Sequence, residues 1–284
     1  MADFENRNQA HYDATANKYD ANPFSEVMSA NNANSIVAAF KAVNHNHQEA
    51  RVLEFGVGTG LVAFKIAPFV KSIVGIDISE SMLEQLAQKK KDPQYAAVAS
   101  KVTTLHHQVK DEDPYPVAAA ADVGQGFDLV YSSVVMHHIE NAPGLIQTLV
   151  KNFVKPGNGW FYIIDFQYED GMAGRWEKIV TEVFHTQHGH GHGHGHGHGH
   201  GHGHGNSHAD HDHSSHPPGQ CPVKKLGDIV PHTEGFKDDD LRRWFSAAGL
   251  VDIQVKRGWT HEFFIPSEGK NVPLHFVLAG GRLP

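Results

Sequence analysis

Apolar residues along the chain fall into two rhythms. Over roughly residues 4–45 they recur at helical spacing, through Tyr12, Ala16 and Tyr19 and then Ile36, Val37 and Phe40, with Pro23 breaking the stretch into two helices. From Arg51 onward short apolar runs alternate with longer amphipathic ones. The runs Arg51–Phe55, Ser72–Asp77, Val102–His106, Phe127–Ser132 and Trp160–Phe166 predict strands. Leu61–Val70, Ser79–Lys91 and Leu145–Val154 predict helices between them, Ser79 being a good N-cap. Asp238–Asp240 opens another helix whose apolar face is Leu241, Trp244, Phe245 and Ala248, with Gly249 as its C-cap. Leu250–Arg257 and Pro273–Ala279 predict two final strands, the last antiparallel at or near the sheet edge. Strands alternating with helices imply an α/β fold, a mostly parallel sheet covered on both faces.

Two segments break the rhythm. Residues 111–125 are rich in Pro, Ala and Asp and predict a loop over one edge of the candidate site. From His188 to Gly205 the pair His-Gly repeats nine times, and His, Ser, Asp and Pro follow to Gln220. Glycine at every second position leaves nothing to pack and maximises the entropy cost of ordering. Residues 186–220 are therefore expected to be a disordered insertion. Imidazoles in an extended chain project alternately, so His188, His190 and His192 could converge on Zn, Ni or Cu.

Composition narrows the field. The chain has 284 residues, 40% hydrophobic, enough for one sizeable core. No window is apolar enough to cross a bilayer, and the polar start, Met1–Arg7, lacks a secretion signal. One cysteine, Cys221, excludes an intrachain disulfide, so a reducing, cytoplasmic setting is expected. The formal charge is −8, and the densest cationic run, Lys89-Lys90-Lys91, reads as complementing a helix dipole. Without a basic face nucleic acid is not an expected partner; a small molecule is. Oligomeric state is left open.

The candidate chemistry sits at Glu54-Phe55-Gly56-Val57-Gly58-Thr59-Gly60, where a strand enters, three glycines alternate and a helix leaves. Glycines allow a sharp bend and close approach of a ligand, and a helix N-terminus offers unpaired N–H groups. Seventeen residues beyond Gly60, Asp77 closes the second strand, where its carboxylate suits a ribose diol. Dinucleotide enzymes prefer G-x-G-x-x-G, so a nicotinamide oxidoreductase is disfavoured by this spacing.

Glycines spaced G-x-G-x-G behind an acid resemble the class I S-adenosylmethionine (SAM)-dependent methyltransferases. The likeness continues in Phe127–Ser133 followed by Met136-His137-His138-Ile139, in Val154-Lys155-Pro156-Gly157-Asn158-Gly159 and in Asp238–Leu250. It spans about residues 10 to 280, the histidine tract excepted. Asp165, Glu169-Asp170-Gly171 and Gly235-Phe236 are similar to a small-molecule branch of that family. The resemblance implies a doubly wound, seven-stranded, Rossmann-like sheet over residues 46–284, with residues 1–45 as a helical lid.

It also implies a SAM site built from Glu54, Gly56, Gly58, Gly60, Asp77, Ile78 and Met82. Gln108 stands where the family often has an aspartate for the adenine amino group, and Tyr19 or Tyr12 in the lid would reach the cofactor's carboxylate or pack in the core. His137, His138 and Asp165, at the ends of the fourth and fifth strands, and His232 are candidates to take a proton from the acceptor; the histidines could equally hold the turn. No Asn/Asp-Pro-Pro-Tyr follows the fourth strand, where Ser132-Ser133-Val134-Val135 stands, so base or glutamine methylation is not expected. The competing reading is a metal-binding protein acting through its histidine tract, with the fold as scaffold.

Overall fold

The computed structural model describes residues 2–109, 126–184 and 226–284. The loop expected over 111–125, the whole insertion expected over 186–220, and His188, His190, His192 and Cys221 lie outside the described residues.

Seven strands form one sheet: β1 (Arg51–Phe55), β2 (Ser72–Asp77), β3 (Val102–His106), β4 (Leu129–Ser133), β5 (Trp160–Phe166), β6 (Val251–Ile265) and β7 (Lys270–Arg282), in the order β3-β2-β1-β4-β5-β7-β6. The first five run parallel, while β7 is antiparallel to both β5 and β6. The seven helices are α1 (Ala2–Tyr19), α2 (Pro23–Val43), α3 (Leu61–Ile66), α4 (Glu80–Lys89), α5 (Ala142–Phe153), α6 (Met172–Lys178) and α7 (Asp238–Ala247) among the described residues. The sheet is doubly wound. Val52, Ile73, Leu129, Tyr162 and Ile164 pack with α2 and α3 on one face. Leu53, Ile76, Val130, Phe161 and Ile163 pack with α5 and α7 on the other. Side chains alternate across a strand, so the inner parallel strands feed both layers and read as mainly apolar runs, while the edge strand β3 leaves Thr103, Thr104 and His106 exposed.

The bounds expected for the last two strands need correcting. Strands β6 and β7 extend well beyond Leu250–Arg257 and Pro273–Ala279; β7, antiparallel and near the edge as expected, lies between β5 and β6, with β6 outermost. The outer half of this hairpin buries only alternate residues, Phe263, Ile265, Val272 and Leu274, and carries Pro266 and Pro273 at its end and within it, which weakens its reading as strand. The break between two helices falls at Pro23 as expected, and Pro23 is itself the first residue of α2, where Asn22 caps by accepting from Phe24 N–H at 2.9 Å. Helix α2 is part of the sheet's own core, where Ile36 and Phe40 are 0% and 2% exposed.

Strand order reverses between β2-β1 and β4-β5, so the loops leaving β1 and β4 diverge to opposite faces. The crevice this opens at the strands' C-terminal ends is where open α/β sheets take ligands. No described helix is long and apolar enough to cross a membrane.

Candidate functional site

A cleft of about 1120 Å³, solvent at its mouth included, opens at that point. Its floor is the bend after β1. Gly56 and Gly58 have φ of +74° and +53°, left-handed values that a side chain adopts only at a cost. They are needed for different reasons. A Cβ on Gly56 would lie 2.4 Å from Val135, whereas one on Gly58 would meet nothing within 4 Å, because Gly58 faces the open cleft. Gly60, at φ +82° before α3, packs against Leu86 and Phe64 instead and does not line the cleft.

Two acids flank the bend. The Asp77 carboxylate accepts from Gly58 N–H at 2.7 Å and from Ser79 N–H at 2.9 Å, so it ties the glycine bend to the start of α4. Burial raises its pKa, and the backbone N–H groups oppose that rise. Glu54 is 2% exposed and accepts from the Tyr131 hydroxyl at 2.8 Å. Burial drives its pKa up to about 8 against that hydrogen bond, and nearby Asp77 adds to the rise. Ile78, Met82, Gln108 and Tyr19 complete this side of the lining. Gln108 gives its amide nitrogen to Glu5, which turns that nitrogen toward α1. Tyr19 is pushed up to about 12, by burial first and then by Asp20, Asp77 and Glu54. Beside the floor, Val134 is β-branched yet sits at φ +56°, a strained backbone held by its N–H bond to Ile164 O at 2.8 Å.

The histidine pair divides. His138 lines the cleft; His137 and Asp165 do not. His137 is 3% and Asp165 0% exposed, and they pair at 2.8 Å between Nδ1 and Oδ1. Asp165 also accepts from the N–H groups of His137, at 3.3 Å, and Phe166, at 2.8 Å. In this arrangement the pair fastens the turn Met136–His138 to the end of β5 behind the cleft. His232 likewise holds that turn, through Nε2 to Ile139 O at 3.0 Å.

Several lining residues were not anticipated. Ser25, Met28, Ser29 and Asn32 come from one face of α2, and Asn8 from α1. Asn32 donates to Ser133 Oγ at 3.0 Å and accepts from Trp259 Nε1 at 2.7 Å. The available signal is a run of polar residues at i, i+4 and i+7 on the buried side of an otherwise apolar helix. The lysine run also does more than complement a dipole. Lys89 pairs with Asp20 and donates to Thr59 O at 2.9 Å, and Lys90 donates to Val102 O at 2.6 Å. Among the described residues no group of three or more His, Cys, Asp or Glu is placed to hold a metal ion.

Comparison with known proteins agrees with this geometry. The methyltransferase domain family matches residues 28–199, more than half of the chain. An uncharacterized methyltransferase of Schizosaccharomyces pombe is 29% identical over 117 residues, 40% of this chain and 38% of its own. An uncharacterized protein of Haemophilus influenzae is 30% identical over 138 residues, 47% of this chain and 50% of its own. The chain thus spans half or less of the length of these curated relatives. Among solved structures, one from Bacillus halodurans C-125 described as a candidate methyltransferase has a TM-score of 0.51 at 14% identity, covering 87% of this chain and 98% of its own. A DhpI–SAH complex has a TM-score of 0.55 at 14% identity, covering 100% and 98%. At that identity the structures speak for the fold alone, and the fold is the seven-stranded Rossmann-like one described above. With the family matched from α2 through β5, across the glycine bend and both flanking acids, the chain belongs to the methyltransferase domain family.

Proposed function

We propose that the chain moves a methyl group from S-adenosylmethionine to a small-molecule acceptor by in-line displacement. The observation that carries this is the open face of Gly58 between two carboxyl groups, part-buried Asp77 and buried Glu54. Asp77 keeps lone pairs beyond those engaged by the backbone and suits a ribose diol. Glu54, buried at the strand end, suits the ammonium of an amino-acid end and would repel a pyrophosphate. Bound there, SAM supplies a methyl group already activated on a sulfonium. The protein's part is to align that methyl with the acceptor and to keep water out, which α1 and the apolar walls at Met28, Val62 and Val135 favour. The like-folded DhpI complex with SAH makes that compound the natural probe. One cysteine and an acidic balance support a cytoplasmic enzyme that does not act on nucleic acid.

Calorimetric titration with S-adenosylhomocysteine and, separately, NADH tests the proposal. The first should bind and the second should not. In Asp77→Ala two charge-assisted contacts are lost along with the ribose partner, so affinity should fall about 100-fold, roughly 3 kcal/mol. Wild-type affinity in that variant, or preference for NADH, would overturn the assignment.

A further inference from the structure

One wall of the cleft is explained neither by the glycine bend nor by the two acids. There Asn8, Tyr12 and His138 fix each other's protonation. His138 Nδ1 lies 2.9 Å from Ile229 O, and a carbonyl only accepts, so Nδ1 carries the proton. In a neutral ring Nε2 then holds a lone pair, and it faces the Tyr12 hydroxyl at 2.7 Å, so Tyr12 is the donor. Burial keeps the ring neutral, with adjacent His137 acting in the same sense. Asn8 approaches His138 O at 3.3 Å with its amide nitrogen; flipping the amide would set two acceptors face to face. Its Oδ1 is left buried with no hydrogen-bond partner, although Asn8 lines the cleft.

This wall therefore offers the cleft acceptors: Asn8 Oδ1 and the remaining lone pair of Tyr12 Oη. An orphan buried acceptor costs about 1–3 kcal/mol, recovered when a ligand brings a donor. Among the described residues that line the cleft there is no lysine or arginine, so a carboxylate, phosphate or thiolate finds no counter-charge from those side chains.

We propose that Asn8, Tyr12 and His138 form the acceptor side of the site, which takes an uncharged acceptor still carrying its O–H or N–H proton, and that Tyr12 relays this proton to Nε2 of His138. The inference rests on the methyl-transfer reading and specifies its substrate class. As the acceptor's oxygen or nitrogen bonds to the methyl carbon, the carbon–sulfur bond breaks with its electron pair going to sulfur. The acceptor's proton passes to the Tyr12 oxygen, and Tyr12's own proton passes to Nε2, leaving imidazolium. A weak base suffices, because the proton grows steeply more acidic as the new bond forms. Tyr12 is thus a catalytic residue, and His138 a positioning residue that acts through it.

The protein is incubated with donor labelled with ¹³C in its methyl and with small molecules extracted from the source cells. The ¹³C shift of the product methyl tells oxygen and nitrogen from sulfur and carbon. Label should appear on oxygen or nitrogen, and Tyr12→Phe should lower the rate about 100-fold while S-adenosylhomocysteine affinity stays within about threefold. His138→Gln, which can still accept from Tyr12 but cannot take a proton, should lower kcat and spare KM. Label on sulfur or carbon, a wild-type rate in Tyr12→Phe, or an equal loss of S-adenosylhomocysteine binding in that variant would overturn the proposal. A wild-type protein that does not bind S-adenosylhomocysteine at all would strike the underlying methyl-transfer reading instead. A measurement without acceptor is decisive too: ¹⁵N-histidine spectra should place the His138 proton on Nδ1, and finding it on Nε2 refutes the relay.

Discussion

Glu54 places an acid where ionisation is expensive until a cation arrives. Its carboxyl is buried, receives one hydrogen bond from Tyr131, and holds its proton up to about pH 8. Because the folded pKa lies above the unfolded value of 4.5, the stability this group contributes is fully present below pH 4.5. It is lost as pH rises through about 8. Ligand binding runs the other way. An ammonium pairs only with the carboxylate, so near pH 7 complex formation must expel a proton. Affinity for S-adenosylhomocysteine should therefore climb by up to roughly tenfold per pH unit between about 6 and 8 and then level off. Glu54→Gln should bind more weakly at pH 8 and lose this dependence. Calorimetry in buffers of different ionisation enthalpy reads the released proton directly, and a flat wild-type profile would show that Glu54 does not meet the ammonium.

The element that turns these residues into an enclosed site is α1, and it is seated by polar contacts. Ala16 is its one buried apolar residue among those described. Asp13 accepts from Ser79 Oγ at 2.6 Å and from Ser81 N–H at 3.3 Å, Glu5 from Gln108, and Asp20, just past the helix, from Thr59 Oγ1 at 2.6 Å. With Tyr12 on His138, the helix touches the loops that follow all of the first four strands. Such contacts contribute about 1 kcal/mol each, against the several that a buried apolar face would give. Asp13→Ala combined with Asp20→Ala should speed amide exchange in α1 by roughly 10–100-fold while β1 to β5 stay protected. Unchanged protection of α1 would mean that packing, not this latch, holds it. The contrast explains what could be read in advance. Strands β1, β2 and β5 are legible to the residue because burial on both faces makes each a mainly apolar run, and the edge strand β3 because Val102, Thr103 and Thr104 are β-branched. The glycine bend and Asp77 are legible because a backbone shape and a carboxylate at a strand tip leave local marks. Asn8 and Asn32 are not, because their roles come from chain segments more than a hundred residues away meeting at the cleft.

At the scale of the molecule, the histidine tract interrupts a fold whose two flanks are already fastened. On the near side the wide helical turn Ile179–Phe184 ends the described stretch, and Glu182 accepts from both the N–H and the hydroxyl of Ser267, at 2.9 and 2.7 Å. On the far side Ile229 and Val230 are buried, Ile229 O accepts a hydrogen bond from His138 Nδ1, and His232 bonds the turn at Ile139. A sequence of alternating histidine and glycine has no apolar side chain to add to either core layer. Removing those residues shortens a connection by less than half, which changes closure entropy by under about 0.6 kcal/mol. The deletion should therefore leave the thermal midpoint and S-adenosylhomocysteine affinity at wild-type values in metal-free buffer, while most zinc or nickel uptake disappears. The His138 proton should also stay on Nδ1, since Ile229 keeps its place. A deletion that abolished methyl transfer without metal, with the fold intact, would instead put the tract inside the working site and favour the reading in which the histidines act and the sheet is scaffold.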